Sequence, residues 1–422
     1  MRSNAPRMLV TRMTLSGSQR RPDIDTDVPD YLKPGAIGSL RVANRLIRTA
    51  TSETMATDRG EVTDELINFY STLARGGAGL LITGHAYVEQ VGQCSARQIG
   101  IYSDALVPAL ARLTAAVHQN GGRIFCELSH AGSQSVMPNI DPIAPSIIEN
   151  AIFERQPREM SAEDIERIVA AFGQAARRAS AAGFDGIHIH GGNGYLISQF
   201  NSPFSNRRSD QWGGDADRRS RFFLAVYDAI RAAVGYDMPI TARYGLADSG
   251  PGQLQLDEGL DRLQVLAARG LNAVEPTYGL MTTYLENIRP YVAVTPARAL
   301  QDWVLPRLWS PAQPEAYYLQ FSKAVKAMVD IPVILVGGIR STGQMRRILR
   351  AGEADFLAAA RPFIREPDFP QSLKAGRQGL LDCVSCNICL DHDGTDALKC
   401  WRKNPMDLAI HVYQHFRRHG AH

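Results

Sequence analysis

The 422-residue sequence predicts an α/β fold of the (β/α)8 type, and three observations carry that expectation. Short apolar runs alternate with longer stretches of helical periodicity, which implies a parallel sheet. Eight such runs recur over roughly 330 residues, enough for closure into a barrel. The last two end in turns bearing glycine and arginine, Val336-Gly337-Gly338-Ile339-Arg340-Ser341 and Ala360-Arg361-Pro362. A doubly wound sheet is the weaker alternative, because no early G-x-G-x-x-G marks a first strand-to-helix turn.

The candidate strands are Arg45–Ala50, Gly79–Thr83, Arg123–Leu128, Gly186–His190, Pro239–Arg243, Ala273–Glu275, Val333–Val336 and Asp355–Ala359. Between them lie amphipathic segments such as Ser161–Ala182. There Ile165, Ile168, Val169 and Phe172 recur at helical spacing behind a Ser161-x-x-Asp164 cap signal. One connection is unusually long: about forty residues rich in proline and aromatics separate Glu275 from the helix expected near Tyr317–Met328. Its Tyr284, Tyr291, Trp303 and Trp309, within Leu280–Pro314, are expected to shape selectivity.

Three regions follow: a flexible N-terminal extension over 1–28, a barrel over 29–375, and a cysteine-rich segment with a C-terminal tail over 376–422. The extension carries Arg2, Arg7, Arg12, Arg20 and Arg21 with no acid before Asp23; a transit peptide is the alternative reading. The formal net charge is +3 with both signs interspersed, so no nucleic-acid-binding stripe stands out. No run is long and apolar enough to suggest a membrane span. Cysteines gathered in a ligand-like cluster fit a reducing cytoplasm better than a disulfide framework. A homo-oligomer is compatible with the pattern, since barrels of this kind can pair through their outer helices.

In a barrel of this kind the chemistry belongs at strand C-termini. Gly337 and Gly338 at the seventh strand, with Ala360 and Arg361 at the eighth, suggest a phosphate site of backbone N–H groups and a guanidinium. After the fourth strand comes Ile187-His188-Ile189-His190-Gly191-Gly192-Asn193-Gly194-Tyr195-Leu196. Alternation puts His188 and His190 on one face, with His190 nearer the strand end. His190 and Asn193 can both donate to a single oxyanion, and Tyr195 offers a phenolic proton nearby. Arg243 ends the fifth strand, where it can neutralise an anion or face an electron-rich ring; a structural salt bridge is the alternative.

Cys383, Cys386, Cys389 and Cys400 form C-x2-C-x2-C-x10-C. Three thiolates at every third position with a fourth returning from a short loop suit an iron–sulphur cluster. A zinc site, with His392 able to replace one cysteine, and simple packing are the alternatives.

Taken together, Leu40-x-x-x-Asn44-Arg45-Leu46-Ile47-Arg48, Thr51-Ser52-Glu53, His190-x-x-Asn193-Gly194-Tyr195-Leu196, Phe200-x-Ser202-Pro203, Asn206-Arg207-Arg208-Ser209-Asp210-Gln211-Trp212-Gly213-Gly214 and Gly337-Gly338 resemble the old yellow enzyme family of FMN-dependent ene-reductases. The resemblance spans about 32–375, and the cysteines with Asn404-Pro405 extend it toward the branch of 2,4-dienoyl-CoA reductase and trimethylamine dehydrogenase, which carries a [4Fe-4S] cluster. It implies FMN with its phosphate on Gly337, Gly338, Ala360 and Arg361, Arg243 at the pyrimidine edge, and Ala50, Thr51 and Ser52 near the reactive nitrogen. It also implies that His190 and Asn193 hold a substrate carbonyl while Tyr195 protonates the α-carbon. The implied substrate is an α,β-unsaturated carbonyl compound. An amine or C–N bond dehydrogenase and a non-catalytic flavin and cluster electron-transfer subunit are the alternatives.

Two departures from that family matter. Its members carry Gln-Leu-x-His after the third strand, whereas this chain has Glu127-Leu128-Ser129-His130. A carboxylate there accepts from a flavin N–H but repels a flavin carbonyl unless protonated or paired, with Arg243 as an available partner. The dienoyl-CoA reductase-like relatives also continue into FAD and pyridine-nucleotide domains, whereas this sequence ends at His422. Electrons are therefore expected from NADH or NADPH directly, or through the cluster from a separate reductase or ferredoxin-like partner.

Overall fold

Each apolar run becomes a strand because its side chains are buried on both faces, one set in the barrel and one under the helices. They are β1 (Leu46–Arg48), β2 (Leu80–Ile82), β3 (Ile124–Ser129), β4 (Gly186–Gly191), β5 (Ile240–Ala247), β6 (Ala273–Tyr278), β7 (Ile334–Leu335) and β8 (Phe356–Ala359). The computed structural model describes residues 28–148, 155–248, 252–279 and 315–419; the expected extension, but for Val28, and the aromatic loop Leu280–Pro314 lie outside them.

The strands pair in parallel in the order β6-β5-β4-β3-β2-β1-β8-β7. A bridge between Val274 of β6 and Val333 beside β7 brings the two ends together, with Val274 N–H donating to the Pro332 carbonyl at 3.1 Å. All eight expected strands are present, with shifted ends. β5 runs on to Ala247 and β6 to Tyr278, past their expected ends at Arg243 and Glu275. β7 shrinks because Gly337 and Gly338 take φ of +102° and +76° and turn away. Their carbonyls accept instead from the N–H groups of Tyr317 and Ala316 at 3.1 and 3.4 Å.

Helices α1 (Asp64–Arg75), α2 (Val107–Gln119), α3 (Ala162–Ala181), α4 (Ala216–Val234), α5 (Leu256–Ala268), α6 (Leu319–Met328) and α7 (Thr342–Arg350) cover the barrel. α3 begins in a full capping box. Ser161 Oγ accepts from Asp164 N–H at 3.2 Å, and Asp164 Oδ2 accepts from Ser161 N–H at 3.0 Å, a pairing worth about 1 kcal/mol per cap bond. Ile165, Ile168 and Phe172 are fully buried on its inner face.

Alternation along the strands separates two apolar layers. Ile47, Leu80, Ile82, Phe125, Ile334, Phe356 and Ala358 fill the barrel floor, sealed by Ile37 and Val42 of an antiparallel hairpin, Gly35–Ile37 with Leu40–Val42. The sequence reading did not anticipate this hairpin. Leu46, Leu81, Ile124, Cys126, Ile187 and Ile189 point the other way, into the layer shared with the helices.

Several motif residues serve this frame. Asn44 donates to the Gly77 carbonyl at 2.9 Å and accepts from Leu46 N–H at 3.0 Å, fixing the entry to β1. Arg208 donates to the carbonyls of Met160 at 2.7 Å and Pro145 at 3.0 Å, while Asn206 holds the carbonyls of Phe200 and Trp212. Beyond the barrel, a final helix spans Pro405–His419. Among the described residues no helix is long and apolar enough to cross a membrane.

Candidate active site at the barrel mouth

Above the apolar floor the next inward positions are polar. In the same strand faces stand Glu127, two residues after Phe125, with His188 on β4, Thr241 and Arg243 on β5, Glu275 on β6 and Thr49 just past β1. Register sets the neighbours: Glu127 lies beside His188, and Arg243 between His190 and Glu275. Arg243 Nε donates to Glu275 Oε1 at 2.7 Å, its second arm donates to Thr49 Oγ1 at 2.7 Å and the Ala50 carbonyl at 3.3 Å, and Thr49 Oγ1 donates to Glu275 Oε2 at 2.6 Å. Burial opposes the Arg243 charge, but Glu275 and Glu127 hold it above the usual arginine value.

The Arg243–Glu127 pairing that the sequence allowed is present at 3.8 Å, but Glu275 is the nearer, hydrogen-bonded partner; Glu127 also lies 3.8 Å from His188 Nε2. Burial pushes the Glu127 carboxyl up to about 8, against the opposing pull of Arg243.

The turn after β4 is built by the short helix Leu196–Asn201 beneath it. Asn193 takes φ of 54° and Gly194 of 75°. Gln199 donates to the Gly194 carbonyl at 2.6 Å, Gly194 N–H to Ser198 Oγ at 2.8 Å, and Gln134 to the Asn193 carbonyl at 3.0 Å. The turn so held stacks Tyr195 on His190, with ring centroids 4.2 Å apart and planes 23° apart. His85 stands edge-on to both, at 5.2 Å from Tyr195 and 6.0 Å from His190. The Tyr195 hydroxyl donates to Cys94 Sγ at 3.3 Å. Gln98 ties that wall together: its Oε1 accepts from Cys94 N–H at 2.7 Å, and its Nε2 lies 2.8 Å from His85 Nδ1.

Burial holds His85, His190 and Cys94 in their neutral forms. Burial, then Arg243, lowers His85 to about 4 and His190 well below the ordinary histidine value. Burial raises the Cys94 thiol to about 12.

Ala50, Thr51 and Ser52 form the opposite rim, and a buried network positions them. Arg48 donates to the Ile82 carbonyl at 2.7 Å, to Tyr70 Oη at 3.2 Å and to the Thr51 carbonyl at 3.4 Å. Glu53 accepts from Gly84 N–H at 2.6 Å and from Tyr70 Oη. This Arg48–Glu53 pair is why the chain has charged residues in an otherwise apolar layer.

A flavin fits the chemistry of this mouth. Both oxygens of Glu127, His188 Nε2, His190 Nδ1 and Thr277 Oγ1 are buried there with no hydrogen-bond partner among the described residues. Buried polar atoms left so cost about 1–3 kcal/mol each unless a polar group meets them. Gly337 and Gly338 lie at the open end of β7, beside Ala360 and Arg361 at the end of β8. Arg361, however, also donates to Asn387 Oδ1 and lines the cysteine cavity. It therefore stands between the two expected sites.

Cys383, Cys386, Cys389 and Cys400 are unpaired in disulfides and line one cavity of about 170 Å³ with Arg361, Arg365, Trp401 and Arg402. Among the described residues no three His, Cys, Asp or Glu side chains are placed to hold a single metal ion. His392 is corrected as a substitute ligand: its Nδ1 lies 2.8 Å from Asp396 Oδ2, its Nε2 3.0 Å from His411 Nδ1, and its ring stacks on Trp401 at 3.7 Å. The segment docks on the rim that follows β1, at Ser52, Glu53 and Thr54. Leu398 N–H donates to the Glu53 carbonyl at 2.9 Å, Gly394 N–H to Thr54 Oγ1 at 3.2 Å, and Asp393 accepts from Ser52.

Sequence reasoning put His190, Asn193, Tyr195 and Arg243 toward the mouth, although β5 runs on past Arg243 to Ala247, and it missed Glu275, Thr49, His85 and Cys94. Glu275 had a legible signal, an acid in a strand otherwise apolar. The other three had none, since Thr49 reads as part of the first strand with no role assigned and His85 and Cys94 lie in the loop after the second strand.

The NADH:flavin oxidoreductase / NADH oxidase family matches residues 30–379. An NADH oxidase of Thermoanaerobacter brockii is 36% identical over 371 residues, 86% of this chain and 54% of that protein, so the chain spans about half its length. A 4,4'-dithiodibutanoate disulfide reductase of Rhodococcus erythropolis is 31% identical over 378 residues, covering 86% of this chain and 92% of that protein. Among solved structures, morphinone reductase superposes with a TM-score of 0.67 at 26% identity, over 85% of this chain and 93% of that one. A 2-naphthoyl-CoA reductase complex superposes at 0.78 over 91% of this chain and 58% of that one, and at 24% identity it shares the fold. With barrel, strand-end site and matched span in agreement, the chain belongs to the NADH:flavin oxidoreductase / NADH oxidase family.

Proposed function

We propose that this protein reduces the C=C bond of an α,β-unsaturated carbonyl compound with bound FMN. The observation that carries the reading is the neutral His190–Tyr195 stack beside the Arg243–Glu275 pair. Gly337, Gly338, Ala360 and Arg361 would hold the FMN phosphate, with Ala50, Thr51, Ser52, Glu127 and Arg243 around the ring. Bound and reduced, the flavin supplies a hydride for the β-carbon. His190 and Asn193 donate to the carbonyl oxygen, stabilising the charge that develops there as the hydride arrives. Tyr195 delivers the proton to the α-carbon, so that one hydride and one proton saturate the double bond. An amine substrate of the dehydrogenase alternative arrives as a cation and calls for an acid beside Tyr195; among the described residues His85, His190 and Cys94 contact that ring or its hydroxyl, and Asp393 is the acid that acts on Cys94.

Four cysteines around one cavity, flanked by Arg361, Arg365 and Arg402, support a [4Fe-4S] cluster over zinc. A cluster is larger than one ion and carries net negative charge that the guanidiniums offset. Seated on the Thr51–Met55 rim, it would pass electrons from a separate reductase or ferredoxin-like partner, with NADH or NADPH as the direct alternative. The test is an absorption spectrum of protein purified without oxygen, before and after dithionite, followed by addition of 2-cyclohexenone. A bleachable flavin band over a broad brown background, with the band restored by the enone, is the expected result. A flavin band that the enone leaves bleached would end the carbonyl reading.

A further inference from the structure

The polar tier of the barrel holds two buried carboxyls and one guanidinium. Glu275 takes Arg243 at 2.7 Å and is further bound by Thr49 at 2.6 Å. Glu127 is fully buried, and neither of its oxygens has a hydrogen-bond donor among the described residues. The groups that face it can be counted strand by strand. From β5 come Arg243, at 3.8 Å, and Thr241; from β4 His188, whose Nε2 is at 3.8 Å and whose Nδ1 is occupied by Thr241 Oγ1 at 2.8 Å. From β6 comes Glu275, a like charge, and after β2 Thr83, whose hydroxyl accepts from the Glu127 backbone N–H at 3.0 Å. Beyond them lie Glu53 and Arg48, which are already paired with each other at 3.7 Å. His188 offers no charge, since burial and Arg243 hold it well below the ordinary histidine value. One cation thus serves two acids: Glu275 takes its hydrogen bond at 2.7 Å, while Glu127 has the same guanidinium at 3.8 Å as a shared and more distant counter-ion. A second buried anion there would have no hydrogen-bond donor and no cation of its own, which favours the neutral form.

Resting on the proposed flavin-binding reading, we infer that Glu127 is a protonated carboxylic acid in the flavin-binding state and acts as a donor–acceptor pair toward the pyrimidine edge of the flavin. Protonated, its O–H would serve as a donor and its C=O as an acceptor toward the bound ring. A neutral carboxyl presents the same two functions as a carboxamide. The glutamate is therefore compatible with the flavin ring at neutral pH. It also differs from a carboxamide in one respect: deprotonation replaces the donor with a second acceptor and sets a negative oxygen against a carbonyl. Flavin affinity then carries a proton linkage that a glutamine would lack. With Glu127 pushed up to about 8 by burial, the linkage falls in the mildly alkaline range.

The test is riboflavin and FMN binding to the apo-protein, read by quenching of flavin fluorescence from pH 6 to 9.5. Riboflavin lacks the phosphate, whose ionisation would otherwise contribute. For the wild type, Kd should be flat at low pH and weaken by about tenfold per pH unit above the Glu127 transition, the slope of one proton. Glu127→Gln should give a flat profile throughout. Glu275→Gln supplies an independent arm: with Glu275 neutral, Arg243 has Glu127 as its one close carboxylate, and the transition should move to lower pH. A wild-type profile with no alkaline weakening, or a Glu127→Gln profile that still weakens, overturns the inference while leaving flavin binding intact. No binding of either flavin at any pH overturns the inference together with the functional reading beneath it.

Discussion

The Tyr195 hydroxyl donates to Cys94 Sγ across 3.3 Å, joining the expected proton donor to a loop that comes from between β2 and α2. The sulphur is a thiol, raised to about 12 by burial, so it accepts the bond without competing as a base. The phenol is thus aimed by a residue 101 positions away in sequence.

Replacing Tyr195 by Phe removes the proton donor and keeps the ring that stacks on His190. Substrate-driven reoxidation of reduced flavin should slow by about 10²–10⁴-fold, the range for a general acid. Reduction of the flavin should change by less than about threefold. Stopped-flow absorbance of the two half-reactions separates them, and equal slowing of both would remove Tyr195 from the proton-donor role.

Cys94→Ala should slow the same oxidative half-reaction by about fivefold, the loss of one net hydrogen bond of about 1 kcal/mol. Cys94→Ser, which keeps an acceptor, should recover most of that rate. Failure of serine to differ from alanine would mean that the sulphur fills space and does not orient the phenol.

Cys386→Ser should purify with little iron or sulphide and with FMN retained. The barrel site is formed by residues before 362, whereas the cysteines lie beyond it. Iron analysis beside the flavin spectrum decides this. Joint loss of FMN and iron would show that docking through Leu398 on Glu53 and Gly394 on Thr54 is needed to shape the rim.

Arg48→Met should cost about 3–5 kcal/mol, because Glu53 would remain buried without its cation. Chemical denaturation of the apo-protein measures it. A second change, Glu53→Gln, should recover part of the loss in Arg48→Met. If it does not, the carboxylate is not the source of the cost.

His85 titrates at about 4 in the fold, against about 6.5 when unfolded. Between those values the unfolded chain binds the proton and the native one does not, so this residue's contribution is present above pH 6.5 and is lost as pH falls toward 4. Glu127, raised from about 4.5 to about 8, acts in the opposite sense over that same window and up to pH 8, which makes the difference between proteins the useful quantity. His85→Gln should lose less stability than the wild type on going from pH 6.5 to 4.5. Parallel curves for the two would place the ring in contact with solvent.

Periodicity and strand-end chemistry were enough to locate the eight strands, the α3 capping box, and the placing of His190, Asn193, Tyr195 and Arg243 at one barrel mouth. These are local properties: alternation fixes which side chains face inward, and a parallel barrel gathers all strand C-termini at one end. Which acid lies nearest Arg243 was not legible, because both acids face inward, Glu275 on the adjacent β6 and Glu127 on β3, one strand beyond β4 on the other side. Distance decides between them, 2.7 Å against 3.8 Å, and that depends on strand register across the sheet. Cys94 and His85 escaped for a related reason: their roles come from loops folded over the mouth, and a loop's side chains carry no period. In the same way His392 had ligand-like spacing in the chain, but in the fold its nitrogens meet Asp396 and His411. Sequence by itself determined the barrel and the placing of His190, Asn193, Tyr195 and Arg243 at its mouth; only tertiary packing decided which acid lies nearest Arg243 and which loop groups join them, because both depend on register and on chain segments far apart in sequence.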